Sequence, residues 1–143
     1  MTDEELLRIA LEARERAYAP YSGHKVGAAL LTASGKVYTG ANVENASYGL
    51  TVCAERVAVF KAVTEGEREF EKLAVVCGDP SPSLNSGSGS GSSYCRPCGA
   101  CRQVLAEFAP EVRVIMGNAR GEYEVKSLKE LLPEAFTFKR SGP

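Results

Sequence analysis

Two short stretches gather the residues able to do chemistry. Thr51-Val52-Cys53-Ala54-Glu55-Arg56 and Pro97-Cys98-Gly99-Ala100-Cys101-Arg102 together hold three thiols and one acid, each at the expected start of a helix. Three thiols of this kind suit zinc, which prefers four tetrahedral donors and, in a catalytic site, leaves one corner to water. Cys98 and Cys101 are three residues apart, so one helical turn points both at the same spot. Glu55 lies two residues beyond Cys53, close enough to reach a water at the open corner without binding the metal. Helix starts present unpaired amide N–H groups and the positive end of the macrodipole, which stabilise the thiolates that zinc requires. Three thiolates outweigh the +2 of zinc. The helix ends offset part of the excess, and Arg56 and Arg102, each near a ligand in sequence, are placed to donate hydrogen bonds to sulfur.

These stretches need a scaffold, and the rest of the chain reads as one. Residues 2–18 predict a helix opened by a Thr2/Glu5 capping box, with Leu6, Ile9/Ala10, Ala13 and Ala17 on one face. Val26 to Ala33 and Lys36 to Asn42 predict a hairpin turning at Ser34-Gly35. Gly27, Ala28 and Ala29 imply a close neighbour, either a helix or another chain. After a loop at Asn42–Gly49, a helix capped by Thr51 is expected to about Glu65, with Val52, Val57, Phe60 and Val63/Ala62 as its apolar stripe. Leu73–Cys77 is nearly all apolar and predicts a strand covered on both faces. A third helix is expected from Pro97, as its first helical residue, to just before Pro110. Val112–Met116 predicts a strand, Glu122–Val125 a fifth, and Ser127 the cap of a short helix through Leu132. The order αββαβαβ(β)α predicts an α/β fold: a three-layer α/β/α sandwich around a mixed five-stranded sheet.

The totals narrow the class. A chain of 143 residues with 44% hydrophobic content fits one domain, 1–143, with a real core. Within it, Ser81–Ser93 reads as a flexible Gly/Ser-rich insert, a pattern also typical of engineered linkers, expected to be mobile beside the site. With 17 basic against 18 acidic residues the net charge is -1, which argues against a nucleic-acid partner. No apolar run approaches the ~20 residues of a membrane span, and the acidic start Thr2-Asp3-Glu4-Glu5 is unlike a signal peptide. A cytoplasmic protein is the default expectation. The five cysteines, an odd number, speak for metal binding or free thiols over a disulfide framework. Cys77 then reads as a small buried hydrophobe and Cys95 as a bystander able to compete for metal or to oxidise.

Cys53-Ala54-Glu55-Arg56 with Pro97-Cys98-Gly99-Ala100-Cys101-Arg102-Gln103 resembles the small homotetrameric zinc-dependent cytidine deaminases. Tyr18-Ala19-Pro20-Tyr21-Ser22 through Val26-Gly27-Ala28-Ala29, Asn42-Val43-Glu44-Asn45 and Leu131-Leu132-Pro133 to Phe136 extend the resemblance to nearly the whole chain outside the insert. It implies hydrolytic deamination of cytidine and 2′-deoxycytidine to uridine and 2′-deoxyuridine, a reaction of pyrimidine salvage. It also implies one zinc on Cys53, Cys98 and Cys101, Glu55 as the catalytic proton carrier, and Arg56 bonded to the ligand sulfurs. By the same likeness Asn42 and Glu44 hold the ribose 3′-hydroxyl and Ala54 touches substrate. Ala46, Tyr48 and Phe136 would reach a neighbouring subunit's site in a homotetramer with shared active sites, Phe136 stacking on the base.

His24 departs from the pattern, standing where the family usually has Phe in Tyr-Ser-x-Phe-x-Val-Gly. A fourth protein ligand there would evict the water, so the imidazole is expected to stack on or hydrogen-bond the nucleoside. Two other readings compete with the nucleoside enzyme. One is a deaminase of a cytosine-nucleoside antibiotic or modified cytidine, which shares Cys-Ala-Glu and Pro-Cys-Gly-x-Cys. The other is a non-catalytic structural zinc module closed by four thiolates, Cys53, Cys95, Cys98 and Cys101.

Overall fold

Thr2 opens the first helix, α1 (Asp3–Ala13), through the expected capping box. Its hydroxyl accepts the Glu5 N–H at 3.1 Å while the Glu5 carboxylate accepts the Thr2 N–H at 2.8 Å. The helix is shorter than the expected 2–18, because Arg14–Arg16 tightens into a 3₁₀ turn. The structure, a computed structural model, describes residues 1–78 and 94–138. The expected Gly/Ser insert at Ser81–Ser93 lies outside the described residues.

Strands β1 (Val26–Thr32), β2 (Val37–Ala41), β3 (Phe70–Cys77), β4 (Arg113–Asn118) and β5 (Tyr123–Ser127) form one sheet in the order β2-β1-β3-β4-β5. Only β3 and β4 run parallel, joined by the crossover that contains helix α3 (Gly99–Phe108); every other pair is antiparallel. Helix α2 (Ala54–Thr64) connects β2 to β3, and α4 (Leu128–Leu131), capped by Ser127 with Glu130, follows β5.

Alternation along the strands sorts the core into two clusters. Ala29, Leu31, Ala74, Val76 and Ile115 face α1 through Leu6, Leu7 and Ala10. Ala28, Leu30, Leu73, Val75, Val114 and Met116 face α2 and α3. The sheet is thus covered on both sides, giving the expected three layers with the mixed five-stranded sheet between them. Gly27 identifies the close neighbour that its small side chain implied: a Cβ there would lie 2.0 Å from the Ala10 carbonyl oxygen of α1.

Helix α2 overturns one expectation. Its buried face is Ala54, Glu55, Ala58, Val59 and Ala62, whereas Phe60 of the expected stripe is 46% exposed and Val57 only half-buried. The small residues win the sheet side because the helix backbone presses against β2 at Gly40, where a Cβ would stand 2.3 Å from the Ala54 carbonyl oxygen. Bulk on that face would hold the helix off. Val57 and Phe60 instead line an outward hollow of about 380 Å³ with Val43 and Val52.

Candidate metal and active site

The isolated antiparallel bridge between Val43 and Val52 keeps the chain extended up to Cys53, which is therefore the N-cap of α2. Thr51, the expected cap, is engaged elsewhere: its hydroxyl accepts the Asn45 N–H at 3.2 Å. Cys98 is likewise the N-cap of α3, with extended backbone, so Pro97 precedes the helix and does not form its first residue. Cys101 sits in the first turn of α3, fully buried. Each helix thus begins on a sulfur, and neither capping cysteine makes a side-chain cap bond. The positive ends of two helices converge where anionic sulfur belongs.

The Sγ atoms of Cys53 and Cys98 are 3.8 Å apart and those of Cys98 and Cys101 3.5 Å, all three lying within 4.8 Å of one another. Sulfurs at ~2.3 Å from a tetrahedral zinc stand roughly 3.8 Å apart, so the donor set fits that ion. Among the described residues no fourth His, Cys, Asp or Glu joins the group.

The electrostatics of the cluster call for a cation. Hydrogen bonding from Cys101, and then from Arg56 and Cys98, pulls the Cys53 thiol down to about 5 against the opposing effect of burial. Cys101, holding its proton toward the Cys53 thiolate and buried, is pushed upward. One sulfur ionises at the expense of its neighbour, because adjacent thiolates repel; a divalent cation among them removes the conflict. Arg56 donates from Nη2 to Cys53 Sγ at 3.4 Å, the bond expected of it, and that bond raises its own pKa.

Glu55 is only 4% exposed. Burial pushes its carboxyl from 4.5 up to about 7, its own backbone N–H and Arg56 pull the other way, and the Cys53 charge adds to the rise. A carboxyl poised near neutrality can both take and give a proton at physiological pH. This is the sole buried carboxylate side chain among the described residues.

Arg102 does not reach sulfur, contrary to expectation. Its Nε donates to the Pro97 carbonyl at 2.7 Å and its Nη1 to the Leu131 carbonyl at 2.7 Å. The neighbouring Gln103 donates to the Phe136 carbonyl at 2.9 Å, a tie that sequence reasoning passed over because its partners are 33 residues apart.

The remaining predicted residues fall into two groups. Asn42 is buried, its Oδ1 accepting the Val26 N–H at 2.8 Å and its Nδ2 donating to the His24 carbonyl at 2.9 Å. Glu44 accepts the Tyr21 and Ser22 N–H groups at 3.0 and 3.1 Å and the Ser22 hydroxyl. Those hydrogen bonds lower its pKa, the Ser22 hydroxyl foremost. Together they fix the turn that presents the exposed His24, and Ala54 is buried at the first position of α2. Ala46, Tyr48 and Phe136 are exposed on this chain. Tyr48 meets Tyr21 edge-on at 6.4 Å, and Phe136 is 74% exposed.

Cys77 and Cys95 form a disulfide, so neither is the free thiol expected. The reason is tertiary: Cys95 N–H bonds the Gly117 carbonyl of β4, and Gly117 pairs with Val76 of β3, which brings two residues 18 apart in sequence side by side. Cys95 is thereby withdrawn from the metal cluster, and the four-thiolate module loses its fourth donor. Replacing Cys95 by Ala is expected to leave zinc at about one per chain, measured by atomic absorption on purified protein; loss of the metal would return Cys95 to the ligand set.

The likeness to known proteins follows the same residues. The family model of the cytidine and deoxycytidylate deaminase zinc-binding region matches residues 1–118. A cytidine deaminase of Halalkalibacterium halodurans is 49% identical over 138 residues, which cover 96% of this chain and 96% of that protein. A cytidine deaminase of Sporosarcina psychrophila is 45% identical over 138 residues, covering 96% of this chain and 93% of the other. The crystal structure of cytidine deaminase from Burkholderia pseudomallei superposes with a TM-score of 0.83 at 49% identity, covering 95% of this chain and 100% of that one. Three sulfurs gathered for a metal on this fold, over this length of matched sequence, leave one assignment: the chain belongs to the zinc-binding cytidine and deoxycytidylate deaminase family.

Proposed function

We propose that the chain hydrolyses cytidine and 2′-deoxycytidine to uridine and 2′-deoxyuridine, releasing ammonia, as a cytoplasmic enzyme of pyrimidine salvage. The observation that carries this reading is the cluster of Cys53, Cys98 and Cys101, a three-sulfur set with no fourth protein donor among the described residues, beside the buried Glu55. Cys53, Cys98 and Cys101 would hold one zinc ion per chain, which would supply the positive charge that makes a water acidic near neutral pH.

The chain's own groups do the rest. Glu55 accepts a proton from the water that adds to C4 of the base and delivers it to N3. It then takes the second proton from the hydroxyl now on C4 and passes it to the amine, which departs as ammonia, a role matched by a pKa of about 7. Arg56, bonded to Cys53 Sγ, spreads the surplus negative charge of the thiolates. Asn42 and Glu44 bind the ribose 3′-hydroxyl. Asn42 retains one N–H and one lone pair after its two bonds, and a carboxylate accepting three bonds still has room for one more. His24 and Ala54 flank the nucleoside, the imidazole taking the place of the family's phenyl ring.

Ala46, Tyr48 and Phe136 complete a neighbouring subunit's site in a homotetramer with shared active sites. The large side chains this chain leaves outside support that assembly: Val43, Tyr48, Leu50, Phe60 and Phe136 are all exposed. A monomer is then inactive. The near-neutral surface charge supports a small-molecule substrate without nucleic acid or membrane as partner; among the described residues no helix is long and apolar enough to cross a membrane.

The test is the fall in ultraviolet absorbance as cytidine becomes uridine, run with 2′-deoxycytidine and a cytosine-nucleoside antibiotic in parallel and with zinc quantified. Turnover of both nucleosides by zinc-loaded protein is the expected result. Protein that holds zinc and leaves every cytosine nucleoside untouched refutes the assignment, and preference for the antibiotic redirects it.

A further inference from the structure

Two carbonyls from distant parts of the chain meet one guanidinium. The Pro97 carbonyl belongs to the peptide that carries Cys98, so its direction fixes where the Cys98 side chain leaves the backbone. The Leu131 carbonyl belongs to the last turn of α4, where helix carbonyls have no intrahelical partner. Arg102 serves both at 2.7 Å, from Nε and Nη1, and its own N–H bonds the Cys98 carbonyl at 3.0 Å. Beyond Leu131 the chain runs without regular structure to Phe138, and Gln103 supplies a second polar tie at the Phe136 carbonyl.

We propose that Arg102 is a positioning residue that couples this chain's metal ligand to its C-terminal tail, its guanidinium fork fixing at once the peptide that carries Cys98 and the tail whose Phe136 completes a neighbouring subunit's site. Arginine is required because its donors sit in one rigid plane and reach two acceptors together, whereas the single ammonium of lysine, on a flexible stem, satisfies one and leaves the other. Residues that orient metal ligands without touching the metal commonly change affinity by about 10- to 100-fold when replaced. The coupling to substrate rests on the deaminase reading, through Phe136; the coupling of metal ligand to tail does not.

The experiment compares zinc-loaded wild type with Arg102→Lys and Gln103→Ala. It reads zinc release to a chromophoric chelator, amide hydrogen exchange in residues 97–101 and 131–138, and KM and kcat for cytidine. Arg102→Lys is expected to release zinc about 10-fold faster, to exchange faster in both segments, and to raise KM by more than it lowers kcat. Gln103→Ala is expected to quicken exchange in the tail alone, with zinc release as in wild type. Arg102→Gln takes the place of the lysine variant, with the same expectation, should the latter not accumulate as folded protein. Wild-type zinc release in the Arg102 variants, or faster exchange confined to one of the two segments, overturns the proposal. Failure of the wild type to act on any nucleoside overturns the deaminase reading, while release and exchange still decide the coupling.

Discussion

Replacing Glu55 by Gln is expected to leave the zinc content and the fold unchanged and to lower turnover of cytidine by roughly 100- to 10,000-fold, the range over which a positioned acid–base group acts. The amide has the shape of the carboxyl and no proton to exchange, so the loss isolates proton transfer from packing. The three sulfurs do not depend on it, since Glu55 is not among the donors that gather within 4.8 Å. A second, independent signature appears in metal-stripped protein. The native carboxyl, raised from 4.5 to about 7 by burial, holds its proton more tightly than the unfolded chain does. Its contribution to stability is therefore complete below pH 4.5 and is lost as pH rises through 7. Glutamine has no such dependence, so the melting temperature of the stripped variant should gain on that of the wild type across this window. Unchanged turnover at full zinc occupancy would remove Glu55 from the mechanism.

Substituting Gly40 by Ala is expected to damage stability and catalysis together. The new methyl would stand 2.3 Å from the Ala54 carbonyl oxygen and 2.6 Å from the Ala58 nitrogen, backbone atoms of α2 that cannot rotate away. The helix must move outward, and overpacking of this kind costs about 1–3 kcal/mol or more. Denaturant unfolding measures that loss. The chemistry suffers because the same helix carries Cys53 at its cap and Glu55 in its first turn. A displacement of ~1 Å at a catalytic group can lower the rate about 100-fold. A variant with wild-type stability and kcat would show that α2 tolerates the shift and that its seating on β2 does not set the site's geometry.

Much of this arrangement is written in short-range sequence. The capping box at Thr2/Glu5 forms as read, and Ser127, read as a cap, closes a second box with Glu130; each is contained within four residues. The order of helices and strands follows from local periodicity, and the β3–β4 crossover then makes the sheet mixed. Ligand-x-Glu and Pro-Cys-x-x-Cys are also local. Helical geometry alone puts Cys101 one turn from Cys98, so that pair could be picked out from spacing, and Cys53 joins it in space. The expected substrate contacts rest on family likeness, and on this chain Asn42 and Glu44 brace the turn before His24.

What spacing could not reach are the contacts made across the fold. Which face of α2 turns inward was decided by the approach of its backbone to Gly40, not by the size of Val57 and Phe60. The helix starts shifted onto Cys53 and Cys98 because the Val43–Val52 bridge held one segment extended and the extended conformation of Cys98 delayed the other. Cys77 found Cys95 only because β3 and β4 lie side by side, and Arg102 found Leu131 only because α4 folds back against α3. The amino-acid order by itself determined the Cys98/Cys101 pair, the Cys53-x-Glu55 pair and the succession of elements, since each depends on residues a turn or a strand apart, whereas the meeting of Cys53 with Cys98, 45 residues on, belongs to the fold. The tertiary structure alone decided the burial that raises Glu55, the pairing of the remaining cysteines and the partners of Arg102. Those depend on which distant surfaces meet, and local periodicity carries no record of that.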